Sequence, residues 1–452
     1  LPAGASKTHR ENMRTSAHRN SSRHLARCAA LVLAVIAWPS SGNAAGGLVP
    51  QHSEDLRPAF KRAADRDTAT LEVSAFGRDF RLRLSNNPRL ARLAAGSSVQ
   101  LYTGTLEGTP GSWARIAIQD GLPRGMIWDG QEMFIVDAAA EGVNFGASGT
   151  VMFKLSDAVL EQGVTFVDDA VEKPRDAAAT YDAMIGELRA STQALKDGVA
   201  TEGVGISILA DAAFLARYSS ETQAHDALLM RMNNVDGIFS SQLGVELQVE
   251  SVNVADEFTS NLSATTDSSA LLQSLAQLRQ GNPALSATGL THLFTGRRLD
   301  GRNAGIAYTE ALCSRRFAAS LTLAHDSAAL DSLITAHEIG HVFGAPHDGV
   351  QQCATTPQNQ YIMTPSISTS VSSFSQCSLD QINEVIDSYS CVVALPPPAP
   401  ATPAPPDPPP GGSDGGGGDK GGGGSLDPAL LLLLLALQAV RLPWRPGSMR
   451  PR

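Results

Sequence analysis

The chain has 452 residues, with 35 Lys and Arg against 45 Asp and Glu, for a formal net charge of -10 at pH 7. That length allows about three domains' worth of chain and ample buried core. Basic residues cluster only at the two ends, beside apolar runs, which argues against a nucleic-acid partner: phosphate binding needs clustered Lys and Arg.

In chain order, residues 1–44 have the three-part layout of a signal peptide, with Met13 a candidate start. Arg14, Arg19, Arg23 and Arg27 precede the apolar run Cys28–Trp38, and small residues suited to cleavage follow near Ala44. The run is shorter than the ~20 residues a membrane span needs. Of five cysteines, Cys28 lies in this segment; Cys313, Cys353, Cys377 and Cys391 remain. An even number in an exported chain predicts two disulfides, and four cysteines allow three pairings.

Residues 45–196 are expected to form a small β-rich domain with a connector. "TATLEVSAFGRDFRLRLSNN" alternates apolar and polar residues and breaks at Gly77, as in a β-hairpin. "SWARIAIQDGLPRGMIWDGQEMFIVDA" predicts three more strands turning at Asp120-Gly121 and Asp129-Gly130. "AAATYDAMIGELRAS" predicts a helical connector.

Residues 197–395 alternate strand and helix patterns, as in an α/β domain. "GISILAD" is a buried strand. "SSETQAHDALLMRMNNVDGIFSSQL" has apolar residues at three- and four-residue spacing, which predicts a long amphipathic helix. "VELQVESVNV" is a strand and "DSSALLQSLAQLRQ" a capped helix. "THLFTG", "AGIAYTE" and "SLTLAH" are short strands. Ser327–Gly344 is a helix, with Ser327 as cap and Gly344 as stop. "SLDQINEVIDSYS" is the last helix. Residues 396–425 are a Pro-rich then Gly-rich linker that cannot pack a core. Residues 426–452 are an apolar run with a basic end.

The chemistry concentrates in "TAHEIGHVFGAPHDG" (Thr335–Gly349). His337 and His341 are one helical turn apart on one face, so two imidazoles can share a metal. Glu338 is placed to take a proton from water in the metal's open position, the H-E-x-x-H hydrolase chemistry. Gly344 can adopt a left-handed conformation, so the helix can end and the chain can turn back to bring His347 in as a third ligand. Three His ligands leave one open position, as a catalytic zinc site needs.

The run "HEIGHVFGAPHD" resembles the metzincin pattern H-E-x-x-H-x-x-G-x-x-H. Asp348 after the third His resembles the adamalysin/reprolysin branch of ADAM-type and snake-venom metalloproteases. "HLFTGRRLDGRNAGIAYTEALC", "YIMTPSIS" and "FSQCSLDQINEVIDSYSC" are similar to that branch's edge segment, Met-turn and closing segment, so the likeness covers about Val204–Val393. The resemblance implies a mixed twisted sheet with long helices. It implies His337, His341 and His347 as zinc ligands and Glu338 as general base. It places Met363 beneath the metal and makes Asp348 an inward-facing residue holding the turn and the Met-turn. It also implies the pairings Cys313–Cys391 and Cys353–Cys377. Gly305, Ile306 and Ala307 would form an edge strand to which an extended protein or peptide substrate adds. Gly205 and Gly289 stand where the family's calcium-binding acids are expected, which argues against calcium.

The first domain is similar, more loosely, to the branch's propeptide, and so suggests a zymogen. No cysteine occurs from Ala45 to Leu312, so a thiolate cannot hold the zinc's fourth position. The propeptide is expected to assist folding or to block the cleft. The tail resembles GlyGly-CTERM sorting signals of Gram-negative bacteria, which implies export, transient membrane contact and removal by a rhomboid-type protease. The basic end would stay cytoplasmic. The expected function is a secreted or cell-surface zinc endopeptidase. The alternatives are an idle protein-binding module of the same fold and a zinc hydrolase of a non-peptide substrate.

Overall fold

The computed structural model describes residues 47–65, 67–138, 149–160, 167–172, 201–366 and 371–395. The signal segment, helical connector, linker and tail lie outside them. Among the described residues no helix is long and apolar enough to cross a membrane.

The first layer is mainly β, with one short helix at Pro88–Ala91. Its strands are β1 (Leu48–Pro50), β2 (Glu54–Asp55), β3 (Ala59–Arg62), β4 (Thr68–Ala75), β5 (Arg78–Asn86) and β6 (Gln100–Leu106). They continue with β7 (Trp113–Gln119), β8 (Leu122–Trp128), β9 (Met133–Ala138), β10 (Thr150–Lys154) and β11 (Ala158–Leu160). Nine of these form one antiparallel sheet in the order β2-β10-β9-β8-β7-β6-β5-β4-β3, and β1 pairs with β11. Period-two patterning sets the buried face: Leu71, Val73, Phe80 and Leu82 point inward from the β4–β5 hairpin. Two-residue loops at Phe76-Gly77 and Asp120-Gly121 have positive φ at both positions, the primed turn whose twist matches paired strands. These are the turns the glycines predict.

The second layer is a mixed sheet ordered β12-β16-β17-β15-β13-β14. Its strands are β12 (Val167–Glu172), β13 (Glu202–Ala210), β14 (Val245–Val254), β15 (Leu290–Thr295), β16 (Asn303–Thr309) and β17 (Ala319–Leu323). β18 (Val392–Ala394) pairs antiparallel with the start of β13. β13, β14, β15 and β17 run parallel, and β16 is antiparallel to β17. The long helices are α1 (Glu221–Gln242), α2 (Ser268–Gly281), α3 (Ala328–Val342) and α4 (Gln376–Ile386). This is an α/β arrangement preceded by a β-rich layer.

Two features differ from the sequence pattern. Helix α1 has no solvent-facing polar stripe: Asp226, Asn233, Asn234 and Asp236 are all buried. The β-rich layer covers that face. Asn87 donates to Asn233 at 2.8 Å, Ser98 donates to Asp226 at 2.7 Å, and Arg115 pairs with Asp236 at 3.0 Å. Arg89 also binds Asp236 and reaches Glu246. At the closest approach, a Cβ on Gly237 would lie 2.7 Å from Arg115 Cγ and 2.8 Å from Trp113 Cζ3. Second, β12 falls within the stretch expected to be propeptide and connector, yet it completes the metzincin sheet beside β16.

Candidate metal centre

Helix α3 carries two of the three histidines. It starts at Ser327, whose hydroxyl accepts the Leu330 N–H, and the chain leaves it through Gly344 at φ 107. Backbone bonds from Gly344 to the His341 carbonyl (2.9 Å) and from Ala345 to the Gly340 carbonyl (3.0 Å) close its last turn. A Cβ at a positive φ is strained, so the glycine lets the chain reverse and bring His347 to the other two.

The Nε2 atoms of His341 and His337 are 3.0 Å apart, and those of His341 and His347 are 3.1 Å apart. His337 Nδ1 faces the Ile362 carbonyl at 2.5 Å and His341 Nδ1 faces the Ala345 carbonyl at 2.8 Å. A carbonyl only accepts, so each Nδ1 must carry the proton and each Nε2 an outward lone pair. Two such lone pairs at 3.0 Å repel unless a cation lies between them. Nitrogens on one tetrahedral zinc sit ~3.3 Å apart when each bond is ~2.0–2.1 Å. The cluster therefore fits a zinc ion, and all three ligand atoms lie within 4.8 Å of one another.

Glu338 is buried at 1% exposure and lies against Gly305 of β16. A Cβ at position 305 would collide with the Glu338 carboxylate, so only glycine lets β16 come this close to the helix; β16 was expected at the sheet edge, but β12 lies outside it. Ile306 and Ala307 follow it on β16, fully buried.

Asp348 is fully buried. Its N–H donates to the Met363 carbonyl at 2.8 Å, and its Oδ1 accepts the Ser375 hydroxyl at 2.7 Å. It thus ties the turn after His347 to the Met-turn and to the first turn of α4. Burial pushes its carboxyl above the usual carboxylate range, opposed by the Ser375 hydrogen bond. Met363 is fully buried under α3, where its Sδ would lie 2.8 Å from a Cβ on Gly340. Gly340 inside the helix costs about 1 kcal/mol relative to Ala, and it opens the space that Met363 and Phe374 fill. Cys313 is bonded to Cys391 and Cys353 to Cys377.

Other residues around the site gave no sequence signal. Below α3, His292 Nδ1 faces the Ser320 hydroxyl at 2.8 Å, and burial pushes its pKa down to about 3, so it is a neutral core residue. Gln242 at the end of α1 accepts the Phe374 N–H at 2.8 Å and donates to the Ser372 carbonyl at 3.3 Å. β12 pairs with β16 from Val167 opposite Asn303 to Glu172 opposite Thr309, with a register shift after Val167 that skips Ala304. Short polar runs such as "VDDAVE" carry no period that would predict it.

Residues 200–375 match the Reprolysin_5 family, described as metallo-peptidase family M12. The chain is 24% identical over 422 residues to the human "A disintegrin and metalloproteinase with thrombospondin motifs 14", covering 80% of this chain and 33% of that protein. It is 26% identical over 180 residues to the snake venom metalloproteinase acutolysin-C of Deinagkistrodon acutus, covering 39% of this chain and 42% of that protein. Against the snake venom metalloproteinase TM-1 of Protobothrops mucrosquamatus it is 26% identical over 198 residues, 43% of this chain and 96% of that protein. The chain thus spans about a third of the human relative and about two fifths of acutolysin-C. With the three histidines, the buried glutamate and the Met363 turn in place, residues 200–375 are an adamalysin/reprolysin-type metzincin domain of metallopeptidase family M12.

Proposed function

We propose that the chain is a zinc-dependent endopeptidase, exported and made as a latent precursor. The observation that carries the reading is the convergence of three Nε2 atoms beside a buried glutamate that abuts the edge strand. His337, His341 and His347 would hold the ion. When bound, zinc supplies a Lewis acid and lowers the pKa of water in its open position to about 7. The Ile362 and Ala345 carbonyls fix the tautomers of two ligands. Glu338, held between α3 and Gly305, takes a proton at its carboxylate and can return it to the leaving amine.

The edge strand supports a peptide substrate. β12 pairs with β16 along six register positions, and Gly305–Ala307 would offer main-chain groups to an added strand once β12 had left. A binding module without chemistry would have no need of Glu338. The same pairing supports latency, because a strand from residues 45–196 then lies where substrate would add. Two disulfides support an oxidising compartment. The tail would be removed by a rhomboid-type protease after export.

In the test, Glu338→Gln retains one zinc per chain by atomic absorption and loses casein cleavage by at least 10²-fold. Undiminished casein digestion would refute the mechanism. Latency is checked by comparing the full chain with one cut between residues 172 and 201. Equal activity would leave residues 45–196 a folding role only.

A further inference from the structure

The β-rich layer has two buried faces. Alternation along β7 sends Ala114, Ile116 and Ile118 into the layer's own core and Trp113 and Ala117 into the apolar cluster of the second layer. β9 and β10 repeat the pattern. Phe134, Val136 and Met152 turn to the layer's own core, while Met133, Ile135 and Phe153 join the other cluster. An antiparallel sheet over a single core can show water its other face, with polar residues at alternate positions. Here that other face is apolar and covered: Ala117 and Ile135 line one cleft with Ala227 and Met230 of α1. The surface beneath matches it, because every residue of α1 from Asp226 to Ser240 is buried.

Separating the layers would bare an apolar face on each and break the Arg115–Asp236 pair, 3.0 Å long and nearly dry. Soluble chains rarely leave contiguous apolar patches of more than a few hundred Å² open to water. The seat is also remote from the histidines. Arg89 and Arg92 of the layer reach Glu246 and the Glu250 carbonyl on β14. β14 is the sheet edge opposite β12, four strand spacings or about 19 Å from β16. Of the described strands before residue 197, β12 is the one that pairs with β16. Seating and blocking therefore belong to different pieces of the segment. We propose that residues 47–160 stay on α1 and β14 after the chain is cut between residues 172 and 201, as a second, non-covalent subunit of the enzyme. Opening the edge then requires β12 alone to move. This goes beyond the latent-precursor reading, and the interface carries it whether or not the histidines bind zinc.

The test uses the full-length chain carrying Glu338→Gln, which is spared self-cleavage, with the recognition sequence of a site-specific protease placed between residues 173 and 200. After cutting, size-exclusion chromatography with mass analysis is run in high salt, which screens exposed charges far more than buried ones. The two pieces should leave in one peak with the mass of one copy of each. Asp236→Asn should speed their separation on the order of 10²-fold, as loss of one partner of a buried charge pair does. Arg83→Ala, which removes an exposed arginine from the β4–β5 hairpin, should leave the rate unchanged. Amide exchange over Leu228–Phe239, unchanged by the cut, supports the seat without any interface variant. Two separate peaks from the parent overturn the proposal. A peak of higher mass overturns it as well, because unspecific association then holds the pieces. Equal effects of Asp236→Asn and Arg83→Ala, or lost protection over Leu228–Phe239, do the same. Absence of zinc by atomic absorption in a chain whose pieces co-elute overturns the zinc reading and leaves the seat standing.

Discussion

Gln242 holds Phe374 as a neighbouring strand would. Its side-chain oxygen accepts the Phe374 N–H at 2.8 Å while its amide donates to the Ser372 carbonyl at 3.3 Å. Between these two clamped residues, the Ser373 carbonyl accepts the Ile362 N–H at 2.8 Å, and the Ile362 carbonyl faces His337 Nδ1 at 2.5 Å. A side chain at the end of α1 thus sets the peptide that orients His337, a proposed zinc ligand. Gln242→Ala should weaken zinc binding on the order of tenfold with the fold intact, as loss of outer partners of metal ligands does. Competition with a chelator measures it, alongside far-ultraviolet circular dichroism. Unchanged zinc affinity would remove the relay.

Gly305→Ala puts a Cβ where the Glu338 carboxylate lies. Either β16 or Glu338 must move. The three histidines do not share that contact, so zinc should stay while peptide cleavage falls. A displacement of about 1 Å can cost on the order of 10²-fold in rate. Zinc content by atomic absorption and kcat/KM on a peptide separate the two. Parallel loss of zinc and activity would show that Gly305 serves the whole centre, not the glutamate alone.

Asp236 faces two arginines of the β-rich layer at once. It is 3% exposed, and Arg115, its partner at 3.0 Å, is 6% exposed. Asp236→Asn leaves Arg115 without its anion in a dry interface while Arg89 keeps Glu246, which costs about 3–5 kcal/mol. Arg115→Met leaves Asp236 its bond to Arg89 and should cost less. The double variant should recover part of the single Asp236 loss. Urea unfolding of the full chain reads all three, and strict additivity would mean that the pair carries no coupling.

The histidine cluster was legible because helical spacing places His337 over His341 and a glycine marks the turn to His347. The partners that orient them were not, because they are backbone carbonyls of Ile362 and Ala345, which every residue possesses. The hairpin glycines announced their turns. Helix α1 misled because polarity was taken for exposure: Asp226, Asn233 and Asp236 are spaced as a solvated stripe, and only the arginines, serines and asparagine of another sheet reveal them as an interface. β12 was silent for a related reason. A strand that adds to an existing edge gets its order from the edge's hydrogen bonds and needs no apolar alternation of its own.

Acid should loosen the active-site helix through Asp331. This residue lies in the first turn of α3, fully buried. Its Oδ1 accepts the His325 N–H at 2.8 Å and faces His325 Nδ1 at 2.7 Å, while its Oδ2 accepts from Arg231 Nε of α1 at 2.7 Å. Burial pushes its pKa up, but the Arg231 charge and the His325 hydrogen bond outweigh that and hold the carboxyl below its usual range. A carboxyl depressed in the folded state binds fewer protons there than in the unfolded chain, so stability rises with pH. The contribution is complete above the unfolded pKa of about 4 and is lost as pH falls through the folded value. Asp331→Asn should destabilise the chain at pH 7 by about 3–5 kcal/mol, because Arg231 is left buried without its anion. It should also flatten the loss of stability below about pH 4. Urea unfolding from neutral to acid pH, compared between the two chains, measures both effects. An acid limb equally steep in the variant would assign the acid sensitivity to other carboxylates.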